Sequence, residues 1–274
     1  MNTEELFNLA LQAAHLTKSP EDSGIAVQKD NISKVAFGVD IDTAEVMLAR
    51  DLGCQCVITH HPQGKQRVDM YEVMDNQIER MVKAGVPINK AEKALSKRKK
   101  EVERSMHVAN YDRAVNSAEL LGLGFMSIHS PADYLVEETV QQFLDERFAD
   151  KPLTRLQEVV DALLEINEYQ KSASQPKIRL GSPDSYAGKI FVAMAGGTSG
   201  GAEVYKAYFE AGIGTMVLMH VPEDVLTALT EQNIGNIIIA GHMPSDSIGI
   251  NQIIAAIEKA GIEVVRMSGV IKPC

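Results

Sequence analysis

The pattern that most constrains the fold is a strand, helix and strand sequence that occurs twice. In the first half, short β-branched runs and the helical pattern between them lie at 34–39, 43–52 and 56–59. In the second half, the corresponding elements lie at 189–194, 202–211 and 215–219. Short apolar strands that alternate with longer helices are typical of α/β proteins. The sequence therefore predicts an α/β fold built from two similar halves.

The resemblance between the halves continues beyond these units. The second strand of the first unit runs into His60, and the second strand of the later unit runs into His220. Each half then offers a third predicted strand with a histidine-bearing segment, at 107–112 and at 237–246. We interpret this as a diverged internal duplication. Because open α/β sheets bind ligands at the carboxyl ends of their strands, histidine and aspartate would be presented there in both halves.

The 274 residues are enough for one or two domains. We expect a first α/β half over residues 1–130 and a second α/β half over 181–274. Residues 131–180 carry two helical patterns and end in a polar stretch, so we expect a helical connecting region there.

Charge and hydropathy exclude several classes of protein. Lys and Arg number 27 against 37 Asp and Glu, which gives a formal charge of −10 that disfavours nucleic-acid binding. No apolar run is long enough to cross a bilayer, so no membrane association is expected. The first residues include Glu4 and Glu5 and follow a helical period, unlike a secretory signal. We therefore expect a cytoplasmic protein.

The three cysteines, Cys54, Cys56 and Cys274, are too few and too unevenly spaced for a disulfide framework. Cys54 and Cys56 lie in an apolar run, and free cysteine behaves as a small hydrophobic residue. We expect reduced, buried thiols rather than a thiolate-rich zinc site.

Histidines carry the strongest functional signal. Five of the seven histidines follow predicted strands, namely His60, His61, His107, His220 and His242. Neutral imidazole is the commonest metal ligand, and carboxylates favour harder divalent ions. Histidine and aspartate together at strand ends therefore predict a site for Zn, Mn, Fe or a similar metal. His15 and His129 are interpreted as structural residues.

The spacing of the candidates suggests how they would bind. Neighbouring side chains of an extended segment point to opposite sides, so His60 and His61 need a bend to share one ion, or bind one ion each. His242 and Asp246 are four residues apart and share a face if the segment becomes helical. Asp112 has two interpretations, a metal ligand or the N-cap of the following helix.

Two other segments also have two interpretations. The glycine-rich turn 195–201 either presents backbone N–H groups to a phosphate or lets the chain pass closely through a turn. The basic residues 97–100 lie within a helical pattern over 91–105 and form either a phosphate-attracting patch or, as we favour, a solvated helix face.

Four segments together resemble the NIF-three (Ngg-one-interacting factor three-like) dinuclear-metal-centre family, also labelled GTP cyclohydrolase I type 2. These segments are Val39-Asp40-Ile41-Asp42, Ile58-Thr59-His60-His61-Pro62, His107-Val108-Ala109-Asn110-Tyr111-Asp112 and Gly241-His242-Met243-Pro244-Ser245-Asp246. The resemblance covers both ends of the chain but not its middle. It implies two α/β halves with a metal pocket between them, two divalent ions, and a homo-oligomer of dimers that build a hexameric ring.

The resemblance also implies a ligand set. Matched motif by motif, the metal ligands are His60, His61, Asp112, His242 and Asp246. The sequence departs from the family at Asp246, where the family has a glutamate that is longer by one methylene. The distance along the chain between His61 and Asp112 is also longer than the family pattern.

The ligand set implies a metal-dependent hydrolase in which the metal activates a water, with His107 or His220 as a proton shuttle. The family label suggests a purine nucleotide such as GTP, and no substrate follows from the residues themselves. The alternative is a non-catalytic metal-binding protein with a regulatory or scaffold role. A catalytic site would keep open coordination positions, whereas a structural site would be closed.

Overall fold

The computed structural model describes residues 1–273, which form nine strands and twelve α-helices. The strands are β1 (Gly24–Val27), β2 (Lys34–Gly38), β3 (Cys56–Thr59), β4 (Gly124–Ser127), β5 (Lys177–Leu180), β6 (Ile190–Ala193), β7 (Thr215–Leu218), β8 (Asn236–Ile239) and β9 (Glu263–Met267). The helices of the first half are α1 (Thr3–Ala13), α2 (Thr43–Asp51), α3 (Lys65–Asp69), α4 (Asn76–Lys83), α5 (Ile88–Met106) and α6 (Arg113–Leu120). The remaining helices are α7 (Ser130–Phe148), α8 (Leu156–Leu163), α9 (Asn167–Lys171), α10 (Ala202–Glu210), α11 (Glu223–Gln232) and α12 (His242–Lys259). The mixed α/β class predicted from the sequence is therefore confirmed.

Two sheets contain all of these strands. The first sheet has the order β1-β4-β3-β2-β9, and only β1 runs antiparallel to its neighbour. The second sheet has the order β5-β8-β7-β6, and only β5 runs antiparallel. The four strands in common have the same order in both sheets. The internal duplication itself stays a prediction.

Burial explains why the strands form where they do. All four residues of β3, β4 and β7 are buried, as expected for central strands of a parallel sheet that is covered on both faces. The helix between β2 and β3 begins at a capping box, in which Asp42 and Glu45 each accept a backbone N–H of the other. A strong start signal and buried flanking strands therefore define the first βαβ unit.

The predicted strand at 107–112 is wrong. This segment is a turn that leaves α5, and the Val108 side chain is 88% exposed. The position beside β3 is filled instead by β4, which pairs with β3 from Cys56↔Gly124 to Thr59↔Ser127. A central strand must bury its side chains, and Phe125 and Met126 do so completely.

Grouped by their closeness in space, the described residues form two compact units. Unit 1 contains residues 1–73, 102–135 and 246–273, and unit 2 contains 74–101 and 136–245. The first sheet lies in unit 1 and the second sheet in unit 2. The domains predicted from the sequence are continuous segments divided at 130 and 180, and this division stays a prediction. The units of the structure instead combine segments that are distant in the chain but packed together.

None of the helices within residues 1–273 combines the length and the apolar character that a bilayer crossing requires.

Cys54 and Cys56 are free and buried in unit 1, and Cys274 lies outside the described residues. Burial raises the pKa of Cys54 and raises the pKa of Cys56 to about 12. At pH 8, the thiolate fraction of Cys56 is then about 1,000-fold below that of an ordinary thiol.

In a Cys274→Ser variant, we expect a thiol reagent to label no cysteine of the native protein and two after denaturation. Rapid labelling of the native protein would contradict the burial of these thiols.

Candidate metal centre

The two adjacent histidines follow β3 at a bend in the backbone. The N–H of His60 donates to the carbonyl of Gly38 at 2.9 Å, and the N–H of His61 donates to that of Val39 at 3.0 Å. These bonds tie the bend to the carboxyl end of the neighbouring strand β2. The ring centroids of the two histidines are 5.1 Å apart. The bend therefore brings both imidazoles to the same side, which an extended backbone would not do.

In both imidazoles, Nδ1 lies within hydrogen-bond distance of an acceptor oxygen. Nδ1 of His60 lies 3.2 Å from the carbonyl oxygen of Ile128, and Nδ1 of His61 lies 2.7 Å from a carboxylate oxygen of Asp40. Carbonyl and carboxylate oxygens only accept hydrogen bonds, so both Nδ1 atoms carry the proton and donate. In a neutral ring, Nε2 then has a lone pair, which is the form that binds metals.

Asp246 faces both of these lone pairs. Its Oδ1 lies 3.6 Å from Nε2 of His60, and its Oδ2 lies 3.6 Å from Nε2 of His61. These distances exceed a hydrogen bond but match two ligands of one ion, which are about 3.4 Å apart when each bond is about 2.1 Å long. Asp246 has no exposed surface, and buried charges in proteins are paired or bind metals. The residues present therefore fit a divalent metal ion.

A second group of possible ligands shares His60. One ligand atom each from His60, His129 and Asp133 lie within 4.8 Å of one another, and all three residues are buried. Asp133 Oδ1 lies 3.5 Å from Nε2 of His60. His129 follows the end of β4, and Asp133 lies in the first turns of α7. His129, which the sequence analysis interprets as a structural residue, therefore lies among the residues that could hold a metal ion.

The sequence contains a repeated pattern that points to His129 and Asp133. His129-Ser130-Pro131-Ala132-Asp133 and His242-Met243-Pro244-Ser245-Asp246 share histidine, proline and aspartate at the same spacing. Both segments begin a helix after a strand. A comparison of the two halves at this pattern would have predicted that Asp133 reaches the site in the same manner as Asp246.

A family model described as Duf34/NIF3 (NGG1p interacting factor 3) matches residues 1–89 of the chain. A solved structure of a NIF3 superfamily protein from Sphaerobacter thermophilus is 35% identical, with 98% of each chain covered and a TM-score of 0.94. The chain belongs to the NIF3 superfamily. This membership confirms the family predicted from the four sequence motifs.

Two more distant solved structures share the fold. The protein TTHA1606 from Thermus thermophilus is 18% identical over 100% of this chain and 99% of its own, with a TM-score of 0.58. Reduced HcgD from Methanocaldococcus jannaschii is 14% identical over 97% of each chain, with a TM-score of 0.61. No curated protein matches the sequence.

In this NIF3 superfamily member, three of the five predicted metal ligands come together, namely His60, His61 and Asp246. Asp112 precedes α6 in unit 1 as its N-cap, without a side-chain capping bond. His242 is the first residue of α12 and belongs to unit 2, where its ring centroid lies 4.9 Å from that of His220. Neither Asp112 nor His242 is in the groups of converging ligand atoms found within residues 1–273. Their assignment as ligands stays a prediction.

The two candidate proton shuttles lie in different surroundings. His107 is exposed in the turn after α5 and belongs to unit 1. His220 is exposed after β7 and belongs to unit 2, beside His242. Both roles stay predictions.

The glycine-rich loop of this NIF3 protein is held by side chains of unit 2. Gln77 Nε2 donates to the carbonyls of Gly196 and Thr198, at 2.7 Å each. At the end of β6, the N–H groups of Met194 and Ala195 donate to Glu137 at 2.9 Å each. Gln77 thus holds two carbonyls of the loop and Glu137 accepts the N–H of Ala195, contacts that fit the interpretation as a close turn.

The basic stretch of α5 is likewise engaged by its own chain. Lys99 pairs with Asp75 at 2.7 Å, and Arg98 Nε donates to the carbonyl of Ser199 at 3.2 Å. These contacts of Lys99 and Arg98 with their own chain argue against a phosphate-attracting patch, and the solvated helix face stays a prediction.

Proposed function

We propose that this NIF3 superfamily protein is a divalent-metal-dependent hydrolase of small molecules. The observation that carries the proposal is the convergence of the Nε2 lone pairs of His60 and His61 on the two oxygens of Asp246. The His60 and Asp246 side chains are 1% and 0% exposed, whereas that of His61 is 25% exposed. The site is thus firmly held on one side and open to a substrate at His61.

The residues that hold the metal also determine what it can do. When bound, Zn, Mn, Fe or a similar divalent ion would polarise a carbonyl or phosphoryl group and activate a water for attack. Asp40 and the carbonyl of Ile128 keep the protons on Nδ1, so Nε2 of both rings stays available. Two ions, as the family resemblance implies, are part of this proposal.

Asp40 forms part of the lining of a polar cavity of about 300 Å³. Its carboxylate also accepts the hydrogen bond from Nδ1 of His61, so the cavity lies next to this histidine. Its lining is Asp40, Ile41, Asp42, Glu45, Gln63, Arg67, Asn110, Arg113 and Ser268, all in unit 1. The guanidinium group of Arg67 suits an anionic group of the substrate, as does that of Arg113, which pairs with Asp42, and the carboxylates suit hydroxyl or amino groups. A small polar molecule with both kinds of group fits this lining, and a purine nucleotide such as GTP is the candidate that we favour. His107 or His220 is the proposed proton shuttle.

We also propose that the protein works as a homo-oligomer in the cytoplasm, with dimers that build a hexameric ring. Exposed apolar side chains on two helices of unit 1 that pack together support an interface, namely Leu48 of α2 and Leu120 of α6, at 50% and 87% exposure. Sedimentation of the purified protein is expected to give a species of six chains. A monomer at micromolar concentration would overturn this assembly.

Turnover tests the hydrolase proposal. The protein is stripped of metal, reloaded separately with Mn, Zn, Fe and Co, and assayed against GTP, other nucleotides, esters and amides. We expect metal-dependent hydrolysis that falls at least about 100-fold in His61→Asn, because one of the converging ligands is lost.

His15→Asn is the matched control for this assay. His15 is exposed after α1 and has a φ of 55°, a backbone conformation that asparagine tolerates. We expect His15→Asn to retain wild-type activity. Failure of every metal to support turnover of any substrate would overturn the hydrolase proposal in favour of a non-catalytic metal-binding protein.

A further inference from the structure

We propose that an exposed basic surface on α5 binds an exposed acidic surface on α7 of a second copy of this chain. The basic stripe of α5 consists of Lys93, Lys97, Lys100 and Arg104. The acidic face of α7 consists of Glu138, Asp145 and Glu146. The inference rests on the proposed function in that it assumes a homo-oligomer, and it assigns one of the contacts between the copies.

The basic stripe lies opposite the side of α5 that packs against its own chain. Ala91, Leu95 and Val102 are at most 3% exposed, and their spacing of four and seven residues places them on one helix face. The basic stripe repeats this spacing two residues later in the sequence, which corresponds to about 200° around the helix axis. All four of its members are exposed. The stripe therefore points away from the buried side of the helix.

The basic stripe is not neutralised by the described part of its own chain. Two other cations of α5 are paired, Lys90 with Glu210 and Lys99 with Asp75. Within residues 1–273, in contrast, none of the four stripe residues forms an ion pair or a side-chain hydrogen bond. Like charges three and four residues apart destabilise a helix. The stripe thus favours anions that come from another molecule.

The acidic face matches the basic stripe in its spacing. Glu138 and Asp145 are seven residues apart on α7, as Lys93 and Lys100 are on α5. Seven residues are close to two turns, so each pair repeats on one side of its helix over about 10.5 Å. Two helices that lie side by side can therefore form both ion pairs at once.

The acidic face likewise lacks a cation among the residues that the structure describes. Asp145 and Glu146 accept hydrogen bonds from the uncharged side chains of Gln141 and Gln142. Glu138 is exposed, and none of the three carboxylates forms an ion pair within residues 1–273. Asp145 and Glu146 also lie in the last turn of α7, where the helix dipole disfavours negative charge. A cationic surface of another molecule would stabilise this end of the helix.

These two surfaces favour a head-to-tail contact between copies. Because the described residues of one protomer pair neither surface, both are available to a second copy. A contact between different surfaces of two copies is heterologous, and it builds a ring when the rotation closes. The formal charge of −10 makes the copies repel one another elsewhere, so this pair of surfaces orients their encounter.

Two other occupants fit the basic stripe less well. The apolar side of α5 is buried against the protein, so the helix cannot insert that side into a lipid surface. The helix contains no aromatic residue on which bases could stack, and the net negative charge repels a phosphate backbone. A second copy instead supplies a short acidic surface of matching spacing.

Charge reversal on each surface tests the contact in the full chain. The stripe variant carries Lys93→Glu, Lys97→Glu and Lys100→Glu, and the face variant carries Glu138→Lys, Asp145→Lys and Glu146→Lys. Like charges then meet in each variant, and we expect the dissociation constant of the assembly to rise at least about 100-fold in sedimentation velocity. Since all six residues are exposed, circular dichroism of both variants should match that of the wild type.

Mixing the two variants separates the contact from a general effect of charge. The reversed stripe of one variant matches the reversed face of the other. We therefore expect an equimolar mixture to assemble to the size of the wild type, with both chains in each particle by native mass spectrometry. The matched control carries Lys18→Glu, Lys177→Glu and Lys189→Glu, which alter three exposed lysines outside both surfaces, and it should assemble as the wild type does.

Several outcomes would overturn the contact. They are stripe or face variants that assemble as the wild type does, a mixture that stays dissociated, and a control that dissociates as well. A wild type that stays monomeric would overturn the contact together with the hexameric ring, and binding of single-stranded RNA that is lost in the stripe variant would then assign the stripe to nucleic acid. Turnover is assayed separately, so failure of the contact and failure of the hydrolase proposal are distinguishable.

Discussion

Replacing Asp246 by asparagine is expected to abolish the stabilisation of this protein by divalent metal. Asp246 is fully buried and contacts both adjacent histidines, so it is the residue on which the first group of ligands depends. A metal that is present at about 1,000 times its dissociation constant stabilises the folded wild type by about 4 kcal/mol. Asparagine removes the charge and one ligand oxygen, and we expect its metal affinity to fall about 1,000-fold or more, which leaves less than about 0.5 kcal/mol of stabilisation at the same metal concentration.

The measurement is thermal unfolding with metal and with a chelator. We expect chelation to lower the melting temperature of the wild type by several degrees and to leave Asp246→Asn unchanged. The matched control is Asp51→Asn, which alters an exposed aspartate at the end of α2 and should respond to chelation as the wild type does. A wild-type response in Asp246→Asn would remove Asp246 from the metal site.

Replacing Gly249 by alanine is expected to weaken both folding and metal binding, although Gly249 binds nothing itself. Gly249 lies on α12, three residues after Asp246, where the backbone of α7 passes very closely. A Cβ at this position would lie 2.1 Å from the carbonyl oxygen of Ala132 and 2.7 Å from its carbonyl carbon. Since both atoms are backbone, no side-chain rotation relieves the clash, and the two helices must separate.

This contact adjoins a candidate ligand on each helix, because Ala132 directly precedes Asp133 and Gly249 lies one turn after Asp246. Asp133 and Asp246 both lie close to Nε2 of His60, so separating the helices moves at least one of them away from this nitrogen. We expect Gly249→Ala to lower the free energy of unfolding by about 3 kcal/mol, at the upper end of overpacking effects, and to weaken metal binding about tenfold or more. Denaturant unfolding and metal titration measure the two effects.

The control for this variant lies on the same helix. Ala255 is exposed, so Ala255→Val adds bulk without a clash and should change stability by less than about 1 kcal/mol. If Gly249→Ala unfolds and binds metal as the wild type does, the close approach of α7 and α12 does not position the ligands.

The βαβ units were predictable because their signals are local. Central strands such as β3 and β7 are buried on both faces and therefore read as continuous apolar runs. Asp42 and Glu45 similarly mark the start of α2 within four residues. The segment 107–112 contains the apolar residues Val108, Ala109 and Tyr111, which resemble a short strand, and its pattern does not reveal that β4 occupies the position beside β3.

The sequence by itself determined the family and indicated His60, His61 and Asp246 as candidate metal ligands, because these residues stand in short motifs whose chemistry is independent of the rest of the chain. Only the tertiary structure decided that His129 and Asp133 join them. Parallel pairing aligns Thr59 with Ser127, so the segments after β3 and β4 leave the sheet at the same level. His60 and His129 are 69 residues apart in the chain, and the register of two strands brings them together. Local patterns carry no information on which strands become neighbours, since that depends on the burial of the whole sheet.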